Sequence, residues 1–333
     1  MKKKINKKLM EQVQILLKER GQKAFEIAKN AILQEKIKSE LVYEALRYFI
    51  EESWYDVQHP ALISLTCEAV DGNPNSTVHI GAAMVLLTGA ADIHDDIIDK
   101  SRIKCSKPTV FGKFGNDIAI LAGDALLFKG ATLLNEACEK LPEKQGKTIL
   151  NLTKQAFFEI GSAEANEATL KGKYDLTPEE YYHIIEMKAA VAEANARIGA
   201  IVGGGKPKQI EALGCYGRTL GILMSIRYDF VDIFEPEELK NRVQNEILPL
   251  PLLYAFTNPK TKNTIMPILL KTNITEDDAQ TVASTMFKSR GVRDLKENMH
   301  SLMNLGMQTL HCVKKSTVRR FMKTLMESSV EDL

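Results

Sequence analysis

Four aspartates crowd one short stretch of the chain, Gly89-Ala-Ala-Asp-Ile-His-Asp-Asp-Ile-Ile-Asp99. On a helix, Asp95 and Asp99 (four apart) and Asp96 and Asp99 (three apart) share one face, and Asp92 adds an acid one turn earlier. Like charges at that spacing repel by about 0.2–0.5 kcal/mol per pair in water, and by more where water is excluded. The flanks are apolar (Met84 to Leu87, Ile93, Ile97, Ile98), so water is partly excluded here. Such a cluster is stable only with a cation in it. An oxygen-only ligand set points to a hard ion, and sparse monodentate carboxylates suit Mg²⁺ better than Ca²⁺. Magnesium held this way keeps coordination positions open for substrate phosphates. A polar helix end facing solvent would show the same spacing, and the surrounding sequence has to separate the two.

The elements that would carry these groups are helical nearly throughout. Apolar residues recur three and four apart, as in Leu41, Ala45, Tyr48 and Phe49, and again in Ile184, Met187, Val191 and Ala194. Period-2 runs bounded by turn residues are essentially missing, which argues against a sheet. Breaks fall at Asp71-Gly-Asn-Pro74, Lys107-Pro108, Lys171-Gly172-Lys173, Gly203-Gly-Gly-Lys-Pro207 and Asn258-Pro259. Thr177-Pro178-Glu179-Glu180 reads as a capping box that starts a helix carrying Lys188. Gly214, Gly217 and Gly221 lie along one side of a single helix and would permit close helix approach. The expectation is about a dozen helices in one all-α bundle spanning residues 1–333, with a peripheral basic helix over 1–24.

Composition narrows the function class. A formal charge of +1 gives no global field for nucleic acid. Hydrophobic residues at 44% and charged residues at 26% are an ordinary globular balance. The five cysteines are odd in number and scattered without a C-x-x-C pair, so neither a disulfide framework nor a zinc knuckle is suggested. No apolar run long enough for a signal peptide follows the basic N-terminus, and no stretch reaches the roughly 18 consecutive apolar residues of a membrane span. The expectation is a cytoplasmic protein with no stable membrane insertion.

Beyond the aspartates, Lys107-Pro-Thr109, Phe114-Gly115 and Ala119-Ile-Leu-Ala-Gly-Asp124-Ala-Leu-Leu127 follow Asp95-Asp-Ile-Ile-Asp99 at the spacing of a known motif. Together they resemble the first aspartate-rich region of the trans-prenyl diphosphate synthases. Tyr174 through Lys188 resembles the helix preceding that family's phosphate lysine. Arg227-Tyr-Asp-Phe-Val-Asp232 stands where the second aspartate-rich motif belongs, and Leu248-Pro249 where the motif after it ends. The resemblance covers roughly residues 25 to 310. It implies an isoprenoid synthase-type bundle, a Mg²⁺ cofactor and an allylic isoprenoid diphosphate substrate. It assigns Asp95, Asp96, Asp99, Asp229 and Asp232 to metal, and Lys104, Lys188 and Arg227 to the substrate diphosphate. A homodimer is the default partner state, with a heteromer containing an active synthase as the other. Metal and lysine would neutralise the departing pyrophosphate in a dry pocket. Phe157, Phe158, Tyr181 and Tyr182 are candidate aromatic neighbours of the cation, and equally candidate core residues.

The pocket for isopentenyl diphosphate departs from the family pattern. A Gly-Lys-Arg-x-Arg-Pro pattern ending at Pro60 reads Tyr55-Asp56-Val57-Gln58-His59-Pro60, so the Lys and first Arg are Asp56 and Val57. The histidine expected seven residues before the first motif is Thr88, and the Arg pair after it is Lys104 and Cys105. An aspartate where a pyrophosphate-gripping lysine belongs repels that ligand. The allylic side keeps its main groups, but the first aspartate of the second motif is Tyr228, the glutamine before it Ser225, the threonine after Lys188 Ala189, and a later lysine Asn245. Arg227, Lys240 and Arg242 are the cations available to compensate.

Three functions fit this pattern. The first is one-substrate, terpene synthase-like ionisation of an allylic diphosphate, which a missing isopentenyl pocket predicts. The second is a chain-elongating prenyltransferase whose isopentenyl site is rebuilt from Arg102, Lys107 and His59. The third is a non-catalytic partner of an active synthase. The residues rank them in that order. Ala90 and Ala91 lie one turn deeper than Asp95, where small side chains leave a tunnel open for a prenyl chain of farnesyl length or longer. Ala91→Phe is expected to shift substrate preference to shorter chains, read by competition between allylic diphosphates; an unchanged preference in a folded variant contradicts the tunnel.

Overall fold

The computed structural model describes residues 7–331 apart from Cys105. Sixteen α-helices account for most of them: α1 (Lys7–Leu33), α2 (Glu40–Tyr48), α3 (Gln58–Ala69), α4 (Val78–Ile98), α5 (Val110–Phe114), α6 (Asn116–Glu139), α7 (Glu143–Leu170) and α8 (Pro178–Lys188), then α9 (Ala190–Val202), α10 (Pro207–Asp232), α11 (Pro236–Asn245), α12 (Leu250–Phe256), α13 (Pro259–Leu269), α14 (Glu276–Met286), α15 (Arg290–Thr309) and α16 (Thr317–Ser328). The protein is an all-α bundle, as the hydrophobic period implies. Starts follow cap chemistry. The Thr177 hydroxyl accepts from the Glu180 amide while the Glu180 carboxylate accepts from the Thr177 amide, and proline fills the next position. Thr275 and Asp278 repeat the device at α14.

The core is built on α4 and α9. From Ile80 to Leu87 every residue of α4 is buried, because α1, α3 and α6 enclose it. This helix is long and apolar enough to cross a membrane, yet most of that stretch is covered by the bundle, which accounts for its composition. Helix α9 is gripped by α3, α7 and α10. Its approach to α10 depends on the glycine row: a Cβ on Gly217 would lie 2.5 Å from the Ala192 carbonyl oxygen.

Two features differ from the sequence reading. Residues 1–6 of the expected N-terminal helix lie outside the described residues, and from Lys7 onward α1 is not peripheral. Val13, Leu16, Ala24, Phe25, Ala28 and Ile32 are buried against α3, α4 and α16. Gly21 lets α1 lie directly on Val57, where a Cβ would sit 2.3 Å from the carbonyl oxygen. The basic residues masked that apolar stripe. A small antiparallel hairpin also forms, pairing Ile103–Lys104 (β1) with Lys107–Pro108 (β2), too short for any period-2 signal.

That hairpin follows the element that sets up the site. Helix α4 ends in a Schellman turn: the Ser101 amide donates to the Asp96 carbonyl at 2.8 Å and the Lys100 amide to that of Ile97 at 3.3 Å. Lys100 takes the left-handed conformation (φ 56°) usually left to glycine. The turn reverses the chain so that β1 carries Lys104 back over the acidic face of α4. Asn241 on α11 clamps the turn, donating to the Asp99 carbonyl (3.2 Å) and the Ser101 hydroxyl (3.0 Å).

Candidate active site

At the end of α4 each aspartate of the first motif meets a lysine from another element. Lys104 Nζ lies 2.7 Å from Asp96, 3.5 Å from Asp92 and 3.9 Å from Asp95. Lys171, just past α7, is 2.8 Å from Asp99. Lys188, the last residue of α8, pairs with Glu164 at 3.2 Å and with Glu167, both on α7. The helix is interrupted at Ala189, which caps α8 and precedes α9, and this break places Lys188 at a helix end over the cleft.

The second motif joins the same cleft. Asp229 on α10 accepts from Arg242 (2.9 Å) and Tyr181 (3.3 Å) on one oxygen, and from the Leu250 amide (2.8 Å) on the other. Arg242 also donates to Glu246 at 3.0 Å and to the Tyr181 hydroxyl at 2.7 Å. The charge of Arg242 acts on Asp95, and those of Glu167 and Lys188 act on Asp229, so the two motifs share one electrostatic unit.

Negative charge is in excess, and the carboxyls register it. Burial, opposed by Lys104 but reinforced by Asp92 and Asp95, raises Asp96 to about 8. Burial and the charge of Asp95 raise Asp99 to about 7. Glu164 stands at about 8, through burial that Lys188 only partly offsets. Asp232, at the end of α10, also reaches about 8 through burial, with Arg242 opposing. Asp95 is the exception. Burial would raise it, but Lys188 and Lys104 outweigh that and hold it ionised.

The sequence-assigned residues Asp95, Asp96, Asp99, Lys104 and Lys188 are therefore brought together. Asp229 is in the same cleft, with Arg242 and Tyr181 on one of its oxygens and the Leu250 amide on the other. Arg227 needs a correction. It turns away from the cluster and donates to the backbone carbonyl of Glu331 near the chain end, and Arg242 is the arginine that enters the cleft. Lys240 stays on the surface near Asn273, at 3.4 Å. Phe158 is exposed, while Tyr181 works through its hydroxyl. Ala90 is fully buried and Ala91 half-buried, on the turn below Asp95. Sequence reasoning missed Glu164, Glu167 and Lys171. The spacing of three puts Glu164 and Glu167 on one stripe of α7, a signal that was there to read, while Lys171 lies just past the helix end.

Among the described residues no three acidic, histidine or cysteine side chains converge as a preformed metal cage. The donor set nevertheless suits Mg²⁺. All donors are carboxylate oxygens, and Asp95 Oδ1 is buried with no hydrogen-bond partner. Asp95, Asp96 and Asp99 are the residues that would hold the ion.

The sequence matches the Polyprenyl synthetase family model over residues 40–286. It is 36% identical over 182 residues to a short chain isoprenyl diphosphate synthase of Methanothermobacter thermautotrophicus, covering 54% of each chain. It is 28% identical over 277 residues to a geranylgeranyl diphosphate synthase of Methanosarcina mazei, covering 83% of this chain and 85% of that one. The fold matches the crystal structure of a geranylgeranyl pyrophosphate synthetase from Pyrococcus horikoshii with TM-score 0.84 at 24% identity, over 97% of this chain and 99% of the other.

Metal-free protein should lose stability as pH rises. Asp96, Asp99, Glu164 and Asp232 keep protons in the folded state that an unfolded chain, titrating near 4, has released. The folded state then binds more protons than the unfolded one between about pH 5 and 8, and stability declines across that window. The melting temperature in chelator is expected to fall from about pH 5 to 8 and Asp96→Asn to flatten the trend. A level or rising curve contradicts the charge excess.

Proposed function

This chain belongs to the polyprenyl synthetase family, and within it we propose a prenyltransferase that ionises an allylic prenyl diphosphate and passes the prenyl group to a second substrate. The observation that carries the reading is the carboxylate–lysine cleft itself. Its lysines neutralise carboxylates when no substrate is present, and a divalent cation taking over those carboxylates would free the lysines for diphosphate oxygens.

The relatives support a two-substrate reaction over the one-substrate chemistry that ranked first on the residues. Their names describe diphosphate products. A product that still carries a diphosphate after one has left must draw it from a second substrate. Chain elongation with isopentenyl diphosphate is the form of prenyl transfer those names carry.

Mg²⁺, when bound at Asp95, Asp96 and Asp99, supplies positive charge that stabilises the departing diphosphate. The chain's own groups do the rest. Lys188 and Lys104, whose charges both act on Asp95, are the cations for the leaving oxygens, and Lys171 holds the Asp99 carboxylate in place. Asp229, oriented by Arg242, and Asp232 are the second motif's contribution. The prenyl chain runs past Ala90 and Ala91, where the neighbouring side chains exclude water that would quench the cation. A homodimer is part of the same reading. The exposed apolar side chains of Leu121 and Phe128 on α6 and Phe158 on α7 support it, as surfaces that pairing would cover.

The test is pyrophosphate release with Mg²⁺ and geranyl, farnesyl or geranylgeranyl diphosphate, with and without isopentenyl diphosphate. Release is expected from farnesyl or longer donors, with Asp95→Ala and Lys188→Ala each lowering the rate by about 100-fold or more. No release with any donor would assign the chain to a non-catalytic role.

A further inference from the structure

Two basic stretches of sequence meet at the end of the bundle away from the cleft. One is Lys206-Pro207-Lys208 at the start of α10, with both lysines exposed. The other runs from Cys312 to Met326 and carries Lys314, Lys315, Arg319, Arg320 and Lys323 with no acid among them. Defined contacts join the two. The Gln209 side-chain amide donates to the Cys312 carbonyl at 3.4 Å, and Lys314 pairs with Asp71, just past α3, at 2.6 Å. The turns that follow α3 and α9 touch, since a Cβ on Gly72 would lie 2.3 Å from the Gly203 Cα. The first half of α1 packs on the same end, where Val13 and Leu16 share a core cluster with Ala69, Val70 and Val318. The sequence ahead of Leu9 is a third basic stretch without an acid, carrying Lys2, Lys3, Lys4, Lys7 and Lys8.

This end and the cleft are opposite ends of the same helices. Helix α10 runs 26 residues from Pro207 here to Asp232 in the cleft, about 39 Å at 1.5 Å per residue. The formal charge of the whole chain is only +1, so positive charge gathered here balances the acidic cleft at the far end. The acids at this end already have partners: Asp71 takes Lys314, Glu68 takes Arg20, and Glu211 takes Arg197 at 2.7 Å. Lys206, Lys208, Lys315, Arg320 and Lys323 enter no ion pair among the described residues, which leaves their charge for an outside partner.

The chemistry of the substrate selects that partner. On the prenyl-transfer reading above, the diphosphate sits at Asp95 and the hydrocarbon passes Ala91 and Ala90, one turn nearer the start of α4. The prenyl chain therefore lengthens away from the cleft and toward the basic end. A hydrocarbon of farnesyl length or longer partitions into lipid, and a bilayer with anionic headgroups offers both that apolar phase and a negative surface. Ile15, on the same half of α1, adds an apolar side chain that is 58% exposed. Nucleic acid would answer the charge but not the direction of the tail.

We propose that this end of the bundle docks peripherally on an anionic lipid bilayer, held by Lys206, Lys208, Lys315, Arg320 and Lys323, with the cleft facing water. Each basic residue beside such a surface strengthens binding roughly fivefold. The attraction is screened over a Debye length of about 8–10 Å, so it weakens as salt rises. The choice of lipid rests on the prenyl-transfer reading; the basic end itself does not.

The experiment is flotation of the full chain, without substrate, on vesicles of phosphatidylcholine alone or mixed with phosphatidylglycerol. The chain is expected to float with the anionic vesicles, stay behind with the neutral ones, and dissociate as salt is raised. Lys208→Gln, Lys315→Gln and Arg320→Gln combined should weaken binding about 100-fold. The melting curve and pyrophosphate release from a donor in solution should stay unchanged in that variant. Equal binding to neutral and anionic vesicles, or wild-type binding by the triple variant, overturns the docking face. So does a duplex oligonucleotide that strips the chain from the vesicles at equal phosphate concentration. Binding to anionic vesicles by a chain that releases no pyrophosphate from any donor sustains the docking face and overturns the prenyl-transfer reading.

Discussion

Too many carboxylates face one another at the end of α4, and the surrounding structure is arranged around that fact. At an effective dielectric of about 20, two unit charges roughly 5 Å apart repel by about 3 kcal/mol. Several such pairs would consume much of a typical folding free energy of about 5–15 kcal/mol. The protein answers with lysines from three separate places, Lys104 on the hairpin, Lys171 after α7 and Lys188 at the end of α8, and with Arg242 from α11. These cations relieve the repulsion without balancing it. Burial, which Lys104 and Lys188 only partly offset, leaves even the paired Asp96 and Glu164 raised to about 8. A site in that condition is prepared for a divalent cation and, through it, for an anionic substrate.

Positioning follows from local chain chemistry. The left-handed Lys100 ends α4 and turns the chain back, so Lys104 reaches the acids it follows by only a few residues. The capping box at Thr177 fixes the start of α8 and the break at Ala189 fixes its end, which sets Lys188 over α7. Asn241 ties the α4 turn to α11, the helix that also brings Arg242. Each device is a short-range rule serving a long-range contact.

The acidic motif and the helical architecture were legible because both are local patterns: acids at helical spacing, apolar residues at a 3.6 period, cap residues at fixed offsets. The partners were harder. Arg227 and Arg242 are equally basic in the sequence, and only the packing of α11 against α10 decides that Arg242 enters the cleft while Arg227 reaches the chain end. The sequence marks Asp229 by its spacing to Asp232, but not the arginine that pairs with it from thirteen residues away. The peripheral reading of α1 failed because lysines outnumbered the apolar stripe that docks it. The altered second pocket was visible as Asp56 and Thr88, but their hydrogen bond to each other, with His59 beside them, needed α3 and α4 to be packed together.

The central claim is that this cleft accepts a diphosphate only through a divalent cation. Calorimetric titration of inorganic pyrophosphate, with and without Mg²⁺ at matched ionic strength, tests it most directly. Tight binding in Mg²⁺ and an affinity at least about 100-fold weaker in chelator is the predicted result, a coupling of about 2.7 kcal/mol or more. Equal binding in the two conditions would mean that the lysines alone hold the diphosphate and that the carboxylates of α4 have another purpose.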